Sequence, residues 1–377
     1  MSLYALTSKT LPTGLRFPES LTPDPPCIAS EGLLQSCRLM KNAPPVPLYP
    51  LHFQEIYRDK VWGGDGLKTA LGKKCGARTG ESWEIADVGK DSSVVANGPL
   101  KGRKLSELLK TRAREIMGDD VYIRHQRFPL IIKFLFAKDR LSLQVHPTDD
   151  FARAFEPEGT GKMEAWYVIG ATPESRIIRG VLPGTSEAEF RESLTNGKIE
   201  DCINKLRVKE GEVIFIPPGT VHSAYGDLLL LEVQQSSDFT YRFTDWGRTE
   251  PNGKPRELQV ERAIKAMDLQ SIGVSKLKPT RLAGFAYKRD LLIKCEKFTM
   301  EKIDLPAGKR GKEPADPTRC KAFTVLAGRG RFLYGAVGKG RPKAEPFAKG
   351  QTFLLPAALG EYSIHADSGC EIIVIYP

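Results

Sequence analysis

Residues 210–224 read EGEVIFIPPGTVHSA, in which a short apolar run meets a Pro-Pro-Gly turn that leads to His222. The order of Gly, five mostly apolar residues and Pro returns in KGQTFLLPAALGEYS at residues 349–363. There Glu361 takes the place of the histidine, and we expect the second copy to have no equivalent of the strand that contains His146. The repeat predicts two related β-barrels, of which only the first is equipped for chemistry.

Short β-rich segments dominate the chain from Leu51 onward, separated by Gly, Pro and Asp turns. Helical patterns interrupt them at residues 105–117, 148–155 and 186–206, and residues 255–275 also have a helical pattern. The third helix is expected to begin with a capping box formed by Ser186 and Glu189. The chain is therefore predicted to be mainly β, with helical insertions in a barrel framework.

The composition limits the classes of partner. The chain has 377 residues, 41% of them hydrophobic, with 56 Lys+Arg against 46 Asp+Glu, which is typical of a globular protein with a sizeable core. The basic residues concentrate in residues 250–350 but are dispersed, without the aromatic interleaving of nucleic-acid modules. No apolar run reaches the roughly 20 residues of a membrane helix. We expect neither a nucleic acid nor a membrane as a partner.

The start of the chain and its cysteines indicate the compartment. The first 20 residues do not follow the order of a secretory signal, and the seven Cys show no Cys-x-x-Cys spacing. These features favour the cytoplasm and argue against a disulfide framework or a Cys-rich zinc site. Residues 1–48 are rich in proline without a helical or strand period, so they are predicted to form a poorly ordered extension.

A polar face is predicted on the strand LSLQVHP at residues 141–147. Because strand side chains alternate between faces, Ser142, Gln144 and His146 share one side. With His222 and an oxygen ligand, for which Glu164 is the best candidate, this set suits a divalent metal with an open position. Lys162 precedes Glu164 by two residues and shares its face. The residues alone leave open the alternative of core histidines and a surface carboxylate.

A second polar face follows the leucine-rich strand in SSDFTYRF at residues 236–243. Alternation places Asp238, Thr240 and Arg242 on one side. Arg242 could hold a phosphate or a developing oxyanion, because its guanidinium is permanently charged and carries a rigid fork of donors. An ion pair at the strand end, with Asp238 or Asp245, is the alternative.

Several motifs in this order together resemble the type I mannose-6-phosphate isomerase family, in its short bacterial form. They are YPLHFQEIYRDKVWGG (49–64), GESWEIAD (80–87), LSLQVHP (141–147), KMEAWYVI (162–169), PPGTVH (217–222) and QQSSDFTYRFTDWGR (234–248). The resemblance covers residues 49–377 and is strongest to residue 262. It implies two cupin-type barrels of the double-stranded β-helix or jelly-roll kind, with a catalytic domain at 49–275 and a degenerate second cupin domain at 276–377.

The resemblance also implies a ligand set, a reaction and residue roles. One zinc ion per chain is expected, serving an exchange between mannose 6-phosphate and fructose 6-phosphate through a cis-enediol. The expected metal ligands are Gln144, His146, Glu164 and His222; the expected substrate-binding residues are Ser142, Lys162 and Asp238; and the expected catalytic residues are Arg242 and Lys162. The longer members carry His-Lys-Pro-Glu where this chain has Gly161-Lys162-Met163-Glu164, and their extra helical domain is missing here.

Some alternatives stay open at this level. Lys162, Asp238, Glu232 and a zinc-bound water are all candidates for proton transfer. An iron-dependent cupin dioxygenase would need only two histidines and a carboxylate. A non-catalytic sugar-phosphate-binding cupin would need the pocket without the full metal set. In each reading that involves a sugar phosphate the partner is a small molecule, and we expect a monomer or a homodimer.

Overall fold

The computed structural model describes residues 46–156, 159–271, 276–335 and 341–377. The proline-rich extension predicted over residues 1–48 lies almost entirely outside the described residues. Residues Pro47–Pro377 group into one compact unit. Within the described ranges, no helix is long and apolar enough to cross a membrane.

The first barrel consists of two antiparallel sheets. In the described chain its larger sheet has seven strands, in the spatial order β15 (Lys276–Leu277), β11 (Val213–Ile216), β8 (Glu164–Gly170), β13 (Leu228–Gln235), β6 (Leu130–Ala137), β3 (Thr79–Ile85) and β2 (Ile56–Asp59). The facing sheet runs β10 (Ile203–Arg207), β9 (Arg176–Val181), β12 (His222–Tyr225), β7 (Leu143–Val145) and β14 (Tyr241–Thr244). Leu135, Trp166 and Leu230 of the larger sheet share one buried cluster with Ile177 and Ala224 of the facing sheet, so the core lies between the two sheets.

The second barrel repeats this strand order. Its larger sheet runs β1 (Leu51–His52), β23 (Thr352–Leu355), β20 (Lys321–Ala327), β25 (Cys370–Tyr376), β18 (Thr299–Leu305), β17 (Lys288–Lys294) and β16 (Thr280–Arg281). Its facing sheet runs β22 (Lys343–Ala348), β21 (Arg329–Tyr334), β24 (Tyr362–Ala366) and β19 (Arg310–Glu313). A separate ribbon pairs β4 (Asp87–Val88) with β5 (Asp91–Ser92). The prediction of a mainly β chain with two related barrels is confirmed.

The two barrels exchange their outermost strands. β1 comes first in the chain but pairs with β23 of the second barrel, with Leu51 opposite Leu354. β15 follows the first barrel and pairs back onto β11, with Leu277 opposite Val213. Each exchanged strand covers an edge that would otherwise expose unpaired backbone groups. The predicted domain boundary between residues 275 and 276 stays a prediction.

The helices lie between strands, as predicted. They are α1 (Gly66–Leu71), α2 (Leu105–Met117), α3 (Asp119–Arg124), α4 (Asp149–Phe155), α5 (Glu187–Thr195) and α6 (Val260–Ala266). The predictions over 105–117 and 148–155 are confirmed by α2 and by α4, at whose start the Thr148 hydroxyl accepts a hydrogen bond from the Phe151 N–H at 3.1 Å. The capping box of α5 is also confirmed: Ser186 Oγ accepts from the Glu189 N–H, and the Glu189 carboxylate accepts from the Ser186 N–H.

Two predicted helices are shorter than expected. The pattern over 186–206 ends as a helix at Thr195 and continues as a 3₁₀ turn, Ile199–Asp201, and then as β10. Gly197 has a φ of 69°, a left-handed conformation that commonly ends helices. Of the pattern over 255–275, only Val260–Ala266 is helical, and residues 272–275 lie outside the described residues.

Two expectations about the second barrel are wrong. A strand equivalent to β7 does exist: it is β19, which pairs with β24 as β7 pairs with β12. The first residue of β12 is His222, whereas the first residue of β24 is Tyr362 rather than Glu361. Glu361 is exposed and pairs with Lys312 at 3.2 Å. The 3₁₀ turn Ala357–Leu359 accounts for the difference, because it moves the start of the strand by one residue.

Candidate active site

The site lies where β7, β8, β12 and β14 of the first barrel converge. The side chains along β7 alternate as predicted. Leu143 and Val145 pack in a second buried hydrophobic cluster, and the polar side chains lie on the opposite face. Ser142 Oγ donates to Gln144 Oε1 at 3.0 Å. Gln144 Nε2 lies 3.1 Å from His222 Nε2, because Gln144 and His222 face each other in the β7–β12 pairing.

Two histidines and one glutamate form a potential metal-binding triad. His146, Glu164 and His222 are each at most 1% exposed, and one ligand atom from each lies within 4.8 Å of the others. His146 Nε2 is 3.4 Å from Glu164 Oε2, and His222 Nε2 is 3.3 Å from Glu164 Oε1. The carboxylate thus spans the two imidazoles.

Backbone carbonyls orient both imidazole rings. His146 Nδ1 lies 3.0 Å from the Phe239 carbonyl oxygen, and His222 Nδ1 lies 2.8 Å from that of Thr220. A ring that donates from Nδ1–H keeps a lone pair on Nε2, the atom that faces Glu164 in both cases. Burial, followed by the charge of Lys162, lowers the pKa of His146 to about 3, so this ring is neutral as a metal ligand must be.

The Glu164 carboxylate supplies the test of metal binding. Among the described residues neither of its buried oxygens accepts a hydrogen bond, and Oε2 has an ion pair with Lys162 Nζ at 3.2 Å. A buried carboxylate normally has hydrogen-bond partners, because an unsatisfied one costs several kcal/mol. Burial would raise the pKa of Glu164, but Lys162 and the two imidazoles hold it well below its usual value. An ionised carboxylate facing two neutral imidazoles is a donor set that fits a divalent metal.

A row of alternating charges extends from the triad along the inside of the larger sheet. Lys162 Nζ lies 3.2 Å from Glu164 Oε2 and 3.8 Å from Glu232 Oε1. Lys133 Nζ lies 3.2 Å from Glu232 Oε1 and 3.9 Å from a carboxylate oxygen of Glu81. Burial raises the pKa of Glu232 to about 7 against the opposing effect of Lys133. The five side chains of this row are all buried, and they place a carboxyl group that titrates near neutrality beside two ammonium groups.

Lys133 and Glu81 are site residues that the motif analysis missed. Lys133 is the one charged residue in the apolar segment FPLIIKFLFA, and a charge inside a buried strand is a signal of function or of pairing. Its strand partners are Glu232 and Trp83. The sequence therefore shows an unusual buried charge at Lys133, but the partners of this charge lie on two strands more than 40 residues away in the chain.

Arg242 lies directly opposite Gln144 in the β14–β7 pairing. It is half-buried, and within the described chain its Nε has no hydrogen-bond partner. Asp245, one of the two ion-pair partners considered for Arg242, instead pairs with Arg248 at 2.8 Å and with Arg256 at 3.4 Å. Burial, followed by the charge of Arg256, lowers the pKa of Arg242. The guanidinium therefore remains available for a ligand.

These side chains surround a small cavity of about 50 Å³. From the predicted site it is lined by Ser142, Gln144, Lys162, Asp238, Thr240 and Arg242, and in addition by Lys60, Glu81, Lys133, Glu232 and Arg256. Asp238 is exposed at this cavity. The structure thus brings together every residue predicted for the site.

Comparison with known proteins shows the family to which this chain belongs. The family description "Phosphomannose isomerase type I, catalytic domain" matches residues 51–162. The mannose-6-phosphate isomerase ManA of Bacillus subtilis is 34% identical over 326 residues, which is 85% of this chain and 97% of the relative. The chain belongs to the type I phosphomannose isomerase family. A mannose-6-phosphate isomerase of Streptococcus mutans is also 34% identical, over 84% of this chain and 96% of its own length.

Solved structures agree on the fold. The crystal structure of mannose 6-phosphate isomerase from Bacillus subtilis superposes with a TM-score of 0.79 at 31% identity, covering 87% of this chain and 99% of that one. A mutant of the phosphomannose isomerase from Salmonella typhimurium gives a TM-score of 0.67 at 13% identity, covering 87% of this chain and 99% of that one, a likeness of fold alone. The two barrels are therefore the two cupin barrels of this family.

Proposed function

We propose that this member of the phosphomannose isomerase family interconverts mannose 6-phosphate and fructose 6-phosphate with the help of one bound zinc ion. The observation that carries the proposal is the Glu164 carboxylate, which is buried between two imidazoles and accepts no hydrogen bond among the described residues, with Lys162 as its neighbouring cation. Relatives named for this reaction align over nearly their whole length, which supports the same substrate pair.

The zinc would be held by His146, Glu164 and His222, with the Gln144 amide as a fourth ligand. Rotating that amide about its last bond exchanges its oxygen with the Nε2 that now faces His222. A bound zinc would supply a Lewis acid for the sugar's carbonyl and hydroxyl oxygens, stabilising negative charge there by several kcal/mol. The neutral rings and the ionised carboxylate suit this role.

Proton transfer between C1 and C2 falls to the charged row. Glu232 is the group best suited to accept the proton, because its pKa near 7 keeps it reactive at neutral pH. Loss of that proton leaves a cis-enediolate; a proton passes from the oxygen on C2 to the oxygen on C1 through the cis-enediol, and the same carboxyl group returns its proton at the neighbouring carbon. Lys162, 3.8 Å from Glu232, is placed to hold the carboxylate ionised and to donate to an oxygen of the sugar. Arg242 would stabilise the negative oxygen without exchanging a proton.

Substrate binding is assigned to the polar side chains of the cavity. Ser142 and Lys162 would bind the sugar phosphate, and Asp238, exposed at the opening, would accept from a sugar hydroxyl. The cavity of about 50 Å³ is smaller than a sugar phosphate, so side chains at its rim have to change rotamer on binding. Lys60 and Arg256 lie there and would add positive charge for the phosphate.

The direct test is turnover of mannose 6-phosphate in a coupled assay, before and after chelation. We expect chelated protein to lose activity and added zinc to restore it, while protein dialysed without chelator keeps it. Iron-restored oxygen consumption would favour a cupin dioxygenase. Absence of turnover at full zinc occupancy would favour a non-catalytic sugar-phosphate-binding cupin.

A variant separates the role of Arg242 from metal binding. Arg242→Gln should lower kcat/KM by about a hundredfold or more without changing zinc content, because it removes one charged donor to the enediolate. The control is Arg248→Gln, since Arg248 pairs with Asp245 and Asp139 and does not line the cavity. An equal loss in both variants would show that the effect of Arg242 is structural.

A further inference from the structure

The second barrel carries a buried polar cluster at the positions that hold the metal ligands in the first barrel. In β8, Glu164 lies opposite Ile216 of β11. In the equivalent strand β20, Lys321 lies opposite Leu355 of β23. The second barrel thus presents an ammonium group at the register position where the first presents a carboxylate.

The pair of residues on the facing sheet also differs between the two barrels. Gln144 lies opposite His222 where β7 meets β12, and Glu313 lies opposite Tyr362 where β19 meets β24. Glu313 is 0% exposed and Tyr362 is 6% exposed. Without an imidazole at these positions, the second barrel lacks the donor set for the same metal.

One guanidinium neutralises most of the acidic charge in this cluster. Arg289 Nε donates to Glu301 at 2.6 Å, and Arg289 Nη1 donates to Glu313 Oε1 at 2.6 Å. The Tyr376 hydroxyl donates to Glu301 at 2.8 Å. Arg289 and Glu301 are therefore satisfied by one another and by Tyr376.

Three polar groups of the cluster either lack hydrogen-bond partners or have only long polar contacts. In the described residues, Glu313 Oε2 and the Tyr362 hydroxyl are buried without a hydrogen-bond partner. The nearest oxygens to Lys321 Nζ are the Pro314 carbonyl at 3.5 Å and Glu313 Oε2 at 3.6 Å. Burial lowers the pKa of Lys321, and the nearby Glu313 only partly offsets that effect. Buried groups in this state favour a ligand that supplies their missing partners.

A cavity of about 370 Å³ opens onto two of these residues, Lys321 and Glu313. Lys321, Glu313 and Arg289 line it, and Lys294 and Arg319 add two further cations. Its volume falls within the range of small-molecule sites. Four basic and three acidic side chains line it in all, so its charge favours an anion, while the free oxygen of Glu313 requires a hydroxyl donor.

We propose that this cavity is a second binding site, for a small phosphomonoester that also carries hydroxyl groups, such as a sugar phosphate. Lys321 and Arg319 bind the phosphate, and a ligand hydroxyl donates to Glu313 Oε2. The ligand then supplies polar partners to Lys321 and to Glu313 Oε2. The proposal concerns a site separate from the metal triad and does not depend on the isomerase activity.

The test is the stoichiometry of fructose 6-phosphate binding, measured by calorimetry on the full chain. The unmodified protein should bind two molecules per chain. Lys321→Gln should weaken the second site by about tenfold or more, the loss expected for one charge-assisted hydrogen bond. Because Lys321 does not line the first cavity, its kcat/KM should be unchanged.

Arg319→Gln guards against a folding defect, since Arg319 is partly exposed at the rim and pairs with Asp316. The matched control is Arg331→Gln, an exposed arginine paired with Asp367 away from the cavity. Weakening by Arg319→Gln but not by the control supports the site. The site is overturned if neither Lys321→Gln nor Arg319→Gln weakens the binding of any fructose 6-phosphate, whether one molecule or two bind per chain. If inorganic phosphate fills the site as tightly as fructose 6-phosphate, the hydroxyl contact to Glu313 is wrong and the sugar-phosphate assignment falls.

Discussion

The two barrels share a strand order and differ in what fills them. The first places His146, Glu164 and His222 around a common centre, whereas the second places Lys321, Glu313 and Tyr362 at the matching or facing positions. The backbone framework supplies the register in both cases. A few side chains on equivalent strands therefore determine the chemistry of each barrel. The other side chains of the two sheets form its packed core.

The largest effect should follow from removing the Glu164 carboxylate, whose equivalent position in the second barrel is occupied by Lys321. Glu164→Gln is expected to lower turnover by more than about a thousandfold, because it deletes a charged ligand as well as the Lewis acid it holds. Metal content and coupled-assay turnover measure this loss.

The matched change in the second barrel is Glu313→Gln, which keeps a hydrogen-bond acceptor for Arg289. We expect turnover per folded chain to stay within about twofold of the unmodified protein, because Glu313 lies outside the reacting centre. Loss of turnover in this variant would mean that the barrels are functionally coupled.

A stability measurement tests the buried ion pairs of Arg289 in the second barrel. Arg289→Met leaves Glu301 and Glu313 buried without their shared cation, so the free energy of unfolding should fall by about 3 kcal/mol. Denaturant unfolding measures it. A change below about 1 kcal/mol would mean that Arg289 does not neutralise the cluster in solution.

The last prediction concerns pH. Glu232 has no acidic counterpart in the second barrel, where Val374 occupies the equivalent position opposite Glu301. Because Glu232 must be ionised to accept a proton and its pKa lies at about 7, kcat/KM should fall as the pH drops below neutrality, by about tenfold per unit. A pH profile of the residual activity of Glu232→Gln should lack this acid limb. A limb that persists there belongs to another group.

The sequence predicted the local features of the site well. Strict alternation in LSLQVHP placed Ser142 and Gln144 on one face, and the structure has them hydrogen-bonded to each other. The capping box at Ser186 followed from four residues. The prediction that Glu361 is equivalent to His222 was wrong, because one additional residue in the turn changes the register and leaves no periodic signal in the sequence. A cytoplasmic location and a monomeric or homodimeric state stay predictions.

The sequence by itself therefore determined the strand content, the family and the identity of the candidate ligands, since period-2 alternation and ordered motifs are local properties of the chain. Only the tertiary structure decided that Arg242 lies opposite Gln144, that Lys133 meets Glu232 and that β1 and β15 exchange barrels. These contacts depend on pairings between strands that are distant in the chain. Such pairings are selected by the packing of the whole barrel, which no short segment encodes.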